Sequence, residues 1–447
     1  MRNLLVRQSF LLLIVCPAFV SVCAQKKPAA PNRSLEKYME RYSTFTDFGG
    51  AVLVMRGGKV LLRKAYGLAD REWGVANTAD TKFRIASISK PLTAVAILRL
   101  VEQNKLSLDD TLDKFLPGFP SGDKITIHML LTHRSGLPRG HDMDVATEMT
   151  MTKEKALEII KKKSLVFEPG TKTRYSNTGY LLLSYVIEKV TGESFEGFMQ
   201  KNVFQPAGLN GTGIYNPEII VPKIARFYRP ENAAPGARVQ KEFFANYAMF
   251  QGHGNLYSTV DDLAKFMSAL RGTTLLSEAS REKMLTKHYE DGEWGYGIDL
   301  TPMLGRKAFN HGGGFNGATG MATVFPEDDL IVILLSNSRG QANGLSRALA
   351  AITFGQEVEM PYQHVRVPIE PALVDKYAGN YGGGTILNKD GKLVLGDGTE
   401  LVPESQTKFF ESSDPNNTYE FVVGPDGKAS AVVFSFYGVK RSIPRGN

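Results

Sequence analysis

Two β-rich segments lying far apart in the chain set the first constraint on the fold. "FGGAVLVMRGGKVLLRKAYGLAD" (48–70) reads as two strands split by Gly57-Gly58-Lys59, a hairpin signal. "GMATVFPEDDLIVILLSNS" (320–338) reads as two more strands around an acidic turn. Helical spacing fills the ground between them, over 88–103, 153–163, 178–191, 259–271 and 277–285. Strands at both ends with helices between predict one sheet assembled from distant segments, an α/β (α+β) architecture with a helical insertion.

The pattern changes after about residue 355. "GQEVEMPYQHVRVPIEP" carries three prolines and no helical period, so 356–370 reads as a linker. From 371 to 447 short β-rich runs alternate with turns, including Asp390-Gly391 and Asp426-Gly427, and predict a separate all-β domain. A chain of 447 residues has room for both units.

At the other end, "MRNLLVRQSFLLLIVCPAFVSVCAQKK" has two arginines, a short apolar run and the small Ala24. It reads as a secretory signal peptide over 1–24, followed by a linker over 25–34. The alternative is a lipoprotein signal acylated at Cys23, although Val22 is bulkier than the usual residue before a lipidated cysteine. Both cysteines, Cys16 and Cys23, lie in this leader, so the mature chain has no disulfide, cysteine nucleophile or thiolate metal site. Its large cores must hold the fold unaided. The net charge of +7 is scattered except for Lys161–Lys163 on a helical pattern, which reads as a solvated face and not a nucleic-acid surface. No segment beyond the leader is apolar enough to span a bilayer, so membrane attachment would require lipid at Cys23.

Chemistry enters at "FRIASISKPLTAVAILRLVEQ" (83–103). Ser87 precedes Lys90 by three residues at the start of a helix whose Ala94, Ile97, Leu98 and Val101 share a face. Pro91 fits only in the first turn, which fixes the helix start near Ser87. Serine is a poor nucleophile unless a base takes its proton and hydrogen-bond donors receive the developing oxyanion. Lys90, one turn on, can reach back to Ser87, and burial would make its amine neutral and proton-accepting. The spacing alone proves little, because Ser34/Lys37, Ser121/Lys124, Ser280/Lys283 and Ser405/Lys408 repeat it.

Two other stretches supply candidate partners. In "FEPGTKTRYSNTGYLLLSYVIEK", Tyr175 and Asn177 stand just before an apolar helix. A tyrosine near a lysine can exist partly as phenolate and shuttle a proton, and an amide can hold lysine or substrate. The plainer alternative is a helix cap with a packed aromatic. In "FNHGGGFNGATGMATVFP", His311 precedes Gly312, Gly313 and Gly314, whose backbone can approach a ligand closely. The plainer alternative here is a glycine-rich turn with a structural histidine. His128 and His133 read as structural, and His253 as a residue that could line the cleft. His141, Asp142 and Asp144 form a polar loop without a second ligand cluster, so no metal is expected.

Taken in order, Ser-x-x-Lys, Tyr-x-Asn and His-x-Gly resemble the serine β-lactamase and penicillin-binding protein superfamily, in its class C β-lactamase-related (S12-like) branch. "LSLDDTLDKFLPGFP", "ITIHMLLTHRSGLP", "GNLYSTVDDLAKFMSAL" and "WGYGI" look like that family's usual context. The resemblance covers 35–355, and the C-terminal domain is similar to the lipocalin-like appendages of some members. It implies a β-lactamase/transpeptidase-like antiparallel sheet flanked by helices, with a small barrel-like domain appended.

The same resemblance implies Ser87 as acylated nucleophile, Lys90 and Tyr175 sharing the acid–base work, and Asn177 fixing Lys90 and substrate. His311 stands where many members have lysine. The Gly313-Gly314 segment lines the substrate, with the amides of Ser87 and Gly314 as oxyanion hole. No cofactor is implied. A secreted or periplasmic serine hydrolase acting on small-molecule or peptide esters and amides is expected, with D-peptides and β-lactams among the options. Histidine at 311 binds a substrate carboxylate less dependably than lysine. The competing reading is a non-catalytic envelope protein that binds peptidoglycan or a partner through an inherited cleft. Its sign would be loss of Ser87, Lys90 or Tyr175, and all three are present.

Overall fold

The computed structural model describes residues 33–140, 151–231, 238–242, 245–338, 342–425 and 427–446. The leader with Cys16 and Cys23, and the loop residues His141, Asp142 and Asp144, lie outside the described residues.

The distant β segments meet in one antiparallel sheet. Its strands are β1 (Gly50–Arg56), β2 (Lys59–Tyr66), β3 (Phe309–Phe315), β4 (Ala318–Phe325) and β5 (Leu330–Ser336), in the order β3-β4-β5-β1-β2. β1 pairs with β5 from Gly50↔Ser336 to Arg56↔Leu330, which closes the two ends of the unit on each other. Side chains alternate across a strand, so Ala51 and Leu53 enter one core while Val52 and Val54 enter another on the opposite face. β5, "LIVILLS", is buried throughout because both faces are covered.

The larger core holds α2 (Ser89–Glu102), the helical turn α3 (Ile127–Leu131), α4 (Lys153–Lys161), α5 (Asn177–Thr191), α6 (Val260–Ala269) and α7 (Glu278–Met284). All but α3 follow the five expected helical segments to within a few residues. α2 differs in one respect: residues 89–98 are buried on every side, so it is a central helix and not one with a single apolar face.

Helices α1 (Arg33–Phe45) and α8 (Ala342–Thr353) cover the second face. Neither figures in the sequence reading, and Arg33 and Ser34 of the expected linker belong to α1. Its Leu35, Tyr38, Met39 and Tyr42 are buried at helical spacing.

Beyond this unit, α9 (Pro371–Tyr377) precedes an eight-stranded antiparallel meander. Its strands are β6 (Gly379–Tyr381), β7 (Gly384–Lys389), β8 (Lys392–Leu395), β9 (Glu400–Pro403), β10 (Lys408–Glu411), β11 (Asn417–Val423), β12 (Ala429–Phe436) and β13 (Val439–Pro444). A bridge between Tyr381 and Arg445 nearly closes it into a barrel. The segment is not purely β as expected: α9 sends Val374 and Tyr377 into the barrel core, where the Tyr377 ring stacks on Phe421 at 4.5 Å.

One turn fastens the barrel to the rest. Tyr437, between β12 and β13, has φ +54° and is 2% exposed. Its carbonyl accepts from Tyr38 Oη at 2.8 Å, its hydroxyl donates to Asp414 at 2.9 Å, and its ring packs on Tyr42 of α1. Gly344 of α8 makes room for that ring, since a Cβ there would sit 2.2 Å from it.

Candidate active site

Ser87 sits in a 3-10 turn, Ala86–Ile88, that runs directly into α2. Ala86 before it has φ +45°, a conformation costly for a side-chain-bearing residue and frequent beside functional groups. The neighbouring backbone fixes this turn. Phe83 and Arg84 pair with Ser258 and Tyr257, and Ile85 N donates to Leu256 O at 2.9 Å.

Lys90 is fully buried, one helical turn from Ser87. Its Nζ lies 3.1 Å from Ser87 Oγ, 2.9 Å from Asn177 Oδ1 and 3.2 Å from the carbonyl oxygen of His253. Burial, with the positive charge of Arg139 adding to it, drives the amine well below the ordinary lysine range. The other Ser-x-x-Lys pairs have no such surroundings; Lys408, for instance, is ion-paired with Glu359.

Tyr175 and Asn177 come from the second stretch. Two loops zipped together hold them. Arg174 N donates to His133 O at 2.9 Å, Ser176 N to His133 Nδ1 at 3.2 Å and Asn177 N to Arg139 O at 2.8 Å. Ser176 caps α5 by accepting from Gly179 N, and its hydroxyl donates to Pro138 O. Arg134 clamps the preceding turn through Gly170 O, Thr173 Oγ1 and Asp291. The Tyr175 ring then lies 4.7 Å from Lys90 Nζ, and its phenol is a hydrogen-bond partner of Ser87. The expected partial phenolate does not arise. Burial pushes the phenol up to about 12, outweighing the Ser87 hydrogen bond and the Arg139 charge.

The third stretch is edge strand β3, not a turn. A Cβ on Gly313 would lie 2.2 Å from Ile85 O and 3.2 Å from Ser87 N, so this glycine permits the strand to touch the backbone bearing Ser87. Gly314 has no such crowding, since a Cβ there would have its nearest neighbour 3.9 Å away. His311 is 3% exposed, and its Nδ1 donates to Gly312 O at 2.6 Å. A carbonyl only accepts, so Nδ1 carries the proton and buried Nε2 presents a lone pair, with no partner among the described residues. Burial and nearby Lys90 push this imidazole down to about 3, so it is neutral at physiological pH.

Ser87, Lys90, Tyr175, Asn177 and His311 thus converge from three distant stretches. Sequence reasoning missed several neighbours. Arg139 is exposed, with its guanidinium carbon 5.2 Å from the Tyr175 ring centroid. Trp294 packs on both Tyr175 (5.6 Å) and His311 (5.8 Å). His133 is structural as expected, but it stacks directly behind Tyr175 at 4.5 Å. His253 reaches Lys90 through its carbonyl, whereas its ring faces Met249 O. His128 bridges Tyr289 and Tyr296 away from this cluster. The "WGYGI" pattern signalled Trp294; Arg139 carries no periodic or motif signal.

Chemically, the cluster joins a hydroxyl, an amine whose proton affinity burial lowers, a protonated phenol and an edge-strand backbone in one place. Comparisons with known proteins identify the family. A family model described as Beta-lactamase matches residues 35–354. Penicillin-binding protein 4* of Bacillus subtilis (strain 168) is 28% identical, covering 90% of this chain and 96% of its own. Teichoic acid D-alanine hydrolase of Staphylococcus aureus is 29% identical, covering 70% and 79%. The octameric penicillin-binding protein homologue from Pyrococcus abyssi superposes with a TM-score of 0.67 at 26% identity, over 92% of this chain and 99% of that one. The chain belongs to the beta-lactamase family and is a serine hydrolase of that fold.

Proposed function

We propose that Ser87 is the acylated nucleophile of a hydrolase that cleaves ester or amide bonds of D-aminoacyl groups in the cell envelope. The observation that carries this reading is the set of partners around Lys90 Nζ. A neutral amine has two N–H bonds and one lone pair. With Lys90 in that neutral form, Asn177 Oδ1 and His253 O would accept its two N–H bonds, and the lone pair would then face the Ser87 hydroxyl 3.1 Å away. Ser87 Oγ attacks the carbonyl carbon as its proton passes to Lys90. The oxyanion is received by the amides of Ser87 and Gly314. When the tetrahedral adduct collapses, the proton returns to the leaving alcohol or amine through the Tyr175 phenol. Water, giving up a proton to Lys90, then cleaves the acyl-Ser87 ester and restores the hydroxyl.

Substrate class follows from His311. A neutral imidazole whose buried Nε2 has no partner among the described residues keeps a hydrogen-bond acceptor and offers no cation to a carboxylate. That suits an acyl group carrying an ammonium or amide N–H better than a penicillin or a peptide with a terminal carboxylate. A relative named for hydrolysing D-alanine from teichoic acid supports the same class.

The test is a panel of D-alanyl ester, D-alanyl anilide, nitrophenyl acetate and a chromogenic cephalosporin, with Ser87→Ala as control. The reading expects the D-alanyl substrates to give the highest kcat/KM and the control to be inactive. Equal rates on L- and D-alanyl esters, or preference for the cephalosporin, would overturn the substrate class. No turnover of any, with retained ligand binding, would favour a binding protein.

Export through residues 1–24 belongs to the same proposal. It predicts a mature protein beginning at Gln25, and a chain that retains Met1 would contradict it.

A further inference from the structure

A cavity lies away from Ser87, between α8 and the concave face of the C-terminal sheet, with a volume of about 830 Å³. That is within the size range of small-molecule sites. Its wall is aromatic: Tyr419 packs on Phe434 at 4.9 Å, and Phe434 on Phe436 at 6.3 Å.

The strand register fixes what else faces inward. β12 and β13 pair with Val432↔Ile443, Phe434↔Arg441 and Phe436↔Val439. Val432 is 1% exposed in the barrel core, so alternate residues Phe434 and Phe436 share its face. Directly opposed residues point the same way, which places Arg441 on that concave face too. A charged residue there breaks the apolar-in alternation that a sheet packed only for stability follows.

Arg441 has company. Arg347 of α8 lines the cavity from the other side, half-buried, and it feels the charge of Arg441. Neither guanidinium has a carboxylate within ion-pair distance among the described residues. Asp397, the one acidic residue lining the cavity, is engaged by the Thr399 amide at 2.9 Å. Two like charges held near each other beside aromatic rings are unfavourable for the protein alone. They become favourable when an anion with an apolar body lies between them.

We propose that this cavity binds an amphiphilic anion, its apolar body against Tyr419, Phe434 and Phe436 and its carboxylate or phosphate between Arg347 and Arg441. The site is independent of the chemistry at Ser87.

Calorimetric titration of the full chain tests it, using dodecanoate and dodecyl phosphate below their micelle concentrations, with dodecanol and acetate as controls. The two anionic amphiphiles distinguish the headgroup. One of them binds at one equivalent, while dodecanol and acetate bind at least about tenfold more weakly, because each lacks half of the recognition. Arg441→Ala, at an exposed position where folding is not at stake, weakens binding about tenfold or more, and Arg441→Lys recovers part of it. Phe434→Ala weakens both anions alike. Dodecanol binding as tightly as dodecanoate would overturn the proposal. So would wild-type affinity in both Arg441→Ala and Arg347→Ala, or no binding of either anion below about 1 mM.

Discussion

Removing the Arg139 guanidinium should move the acid limb of the pH–rate profile upward. Its charge is one of the two causes that depress Lys90, the other and larger being burial. The guanidinium carbon and the Lys90 nitrogen lie 5.2 and 4.7 Å from the centroid of the same Tyr175 ring. The charges are therefore no more than about 10 Å apart, where Coulomb's law gives roughly 0.4–1.7 kcal/mol for effective dielectrics of about 80 to 20. Because Arg139 is exposed, solvent screening favours the lower half of that range, or about 0.3–0.8 pH unit.

The sign follows from the active form. Activity needs neutral Lys90, so kcat/KM rises with pH through the lysine's pKa, and taking away a neighbouring cation raises that pKa. The assay is kcat/KM for a chromogenic ester between about pH 4 and 9, at low ionic strength where screening is weakest. Arg139→Ala should displace the limb upward, Arg139→Lys should leave it near the parent's, and added salt should shrink the difference. A limb that stays put at low salt, or moves down, would refute the assignment of Lys90 as the titrating base.

Other outcomes follow from the same geometry. Lys90→Met should lower kcat/KM by about 10²–10⁴ while leaving the melting temperature equal or higher, since a buried amine gives way to an apolar side chain; a small activity loss would point to another base. Gly313→Ala should abolish activity, because its methyl would meet Ile85 O at 2.2 Å, whereas Gly314→Ala has space and should keep most of it. Equal effects at the two positions, measured on folded protein, would contradict the close approach of β3 to Ser87. Tyr437→Ala should cost about 3–5 kcal/mol in denaturant unfolding and loosen the barrel towards protease, and unchanged stability would show that the turn is not the anchor.

Much of this arrangement was legible in the sequence where local signals and spacing coincide. The four strands at 48–70 and 320–338 and the helix at Ser87 follow from periodicity and turn residues, and the site from three short patterns in order. Helix α1 was equally legible, since Leu35, Tyr38, Met39 and Tyr42 recur at helical spacing, but only its first two residues, Arg33 and Ser34, fall in the expected linker, and the sequence reading assigns no element to the rest. Other features depend on tertiary contact alone. Arg139 matters because two loops are zipped through Ser176 and Asn177, and no residue near it in sequence reveals that. The depressed Lys90 and the raised Tyr175 arise from burial that only the assembled core creates. The inward Arg441 is visible only once β12 and β13 have a register.

Ser87 as the covalent centre is tested most directly by intact-mass measurement and peptide mapping after exposure to a fluorophosphonate. One adduct per chain, mapped to the peptide containing Ser87 and absent from Ser87→Ala, is the predicted result. Undiminished labelling of Ser87→Ala, or an adduct mapped to another serine, would contradict the account.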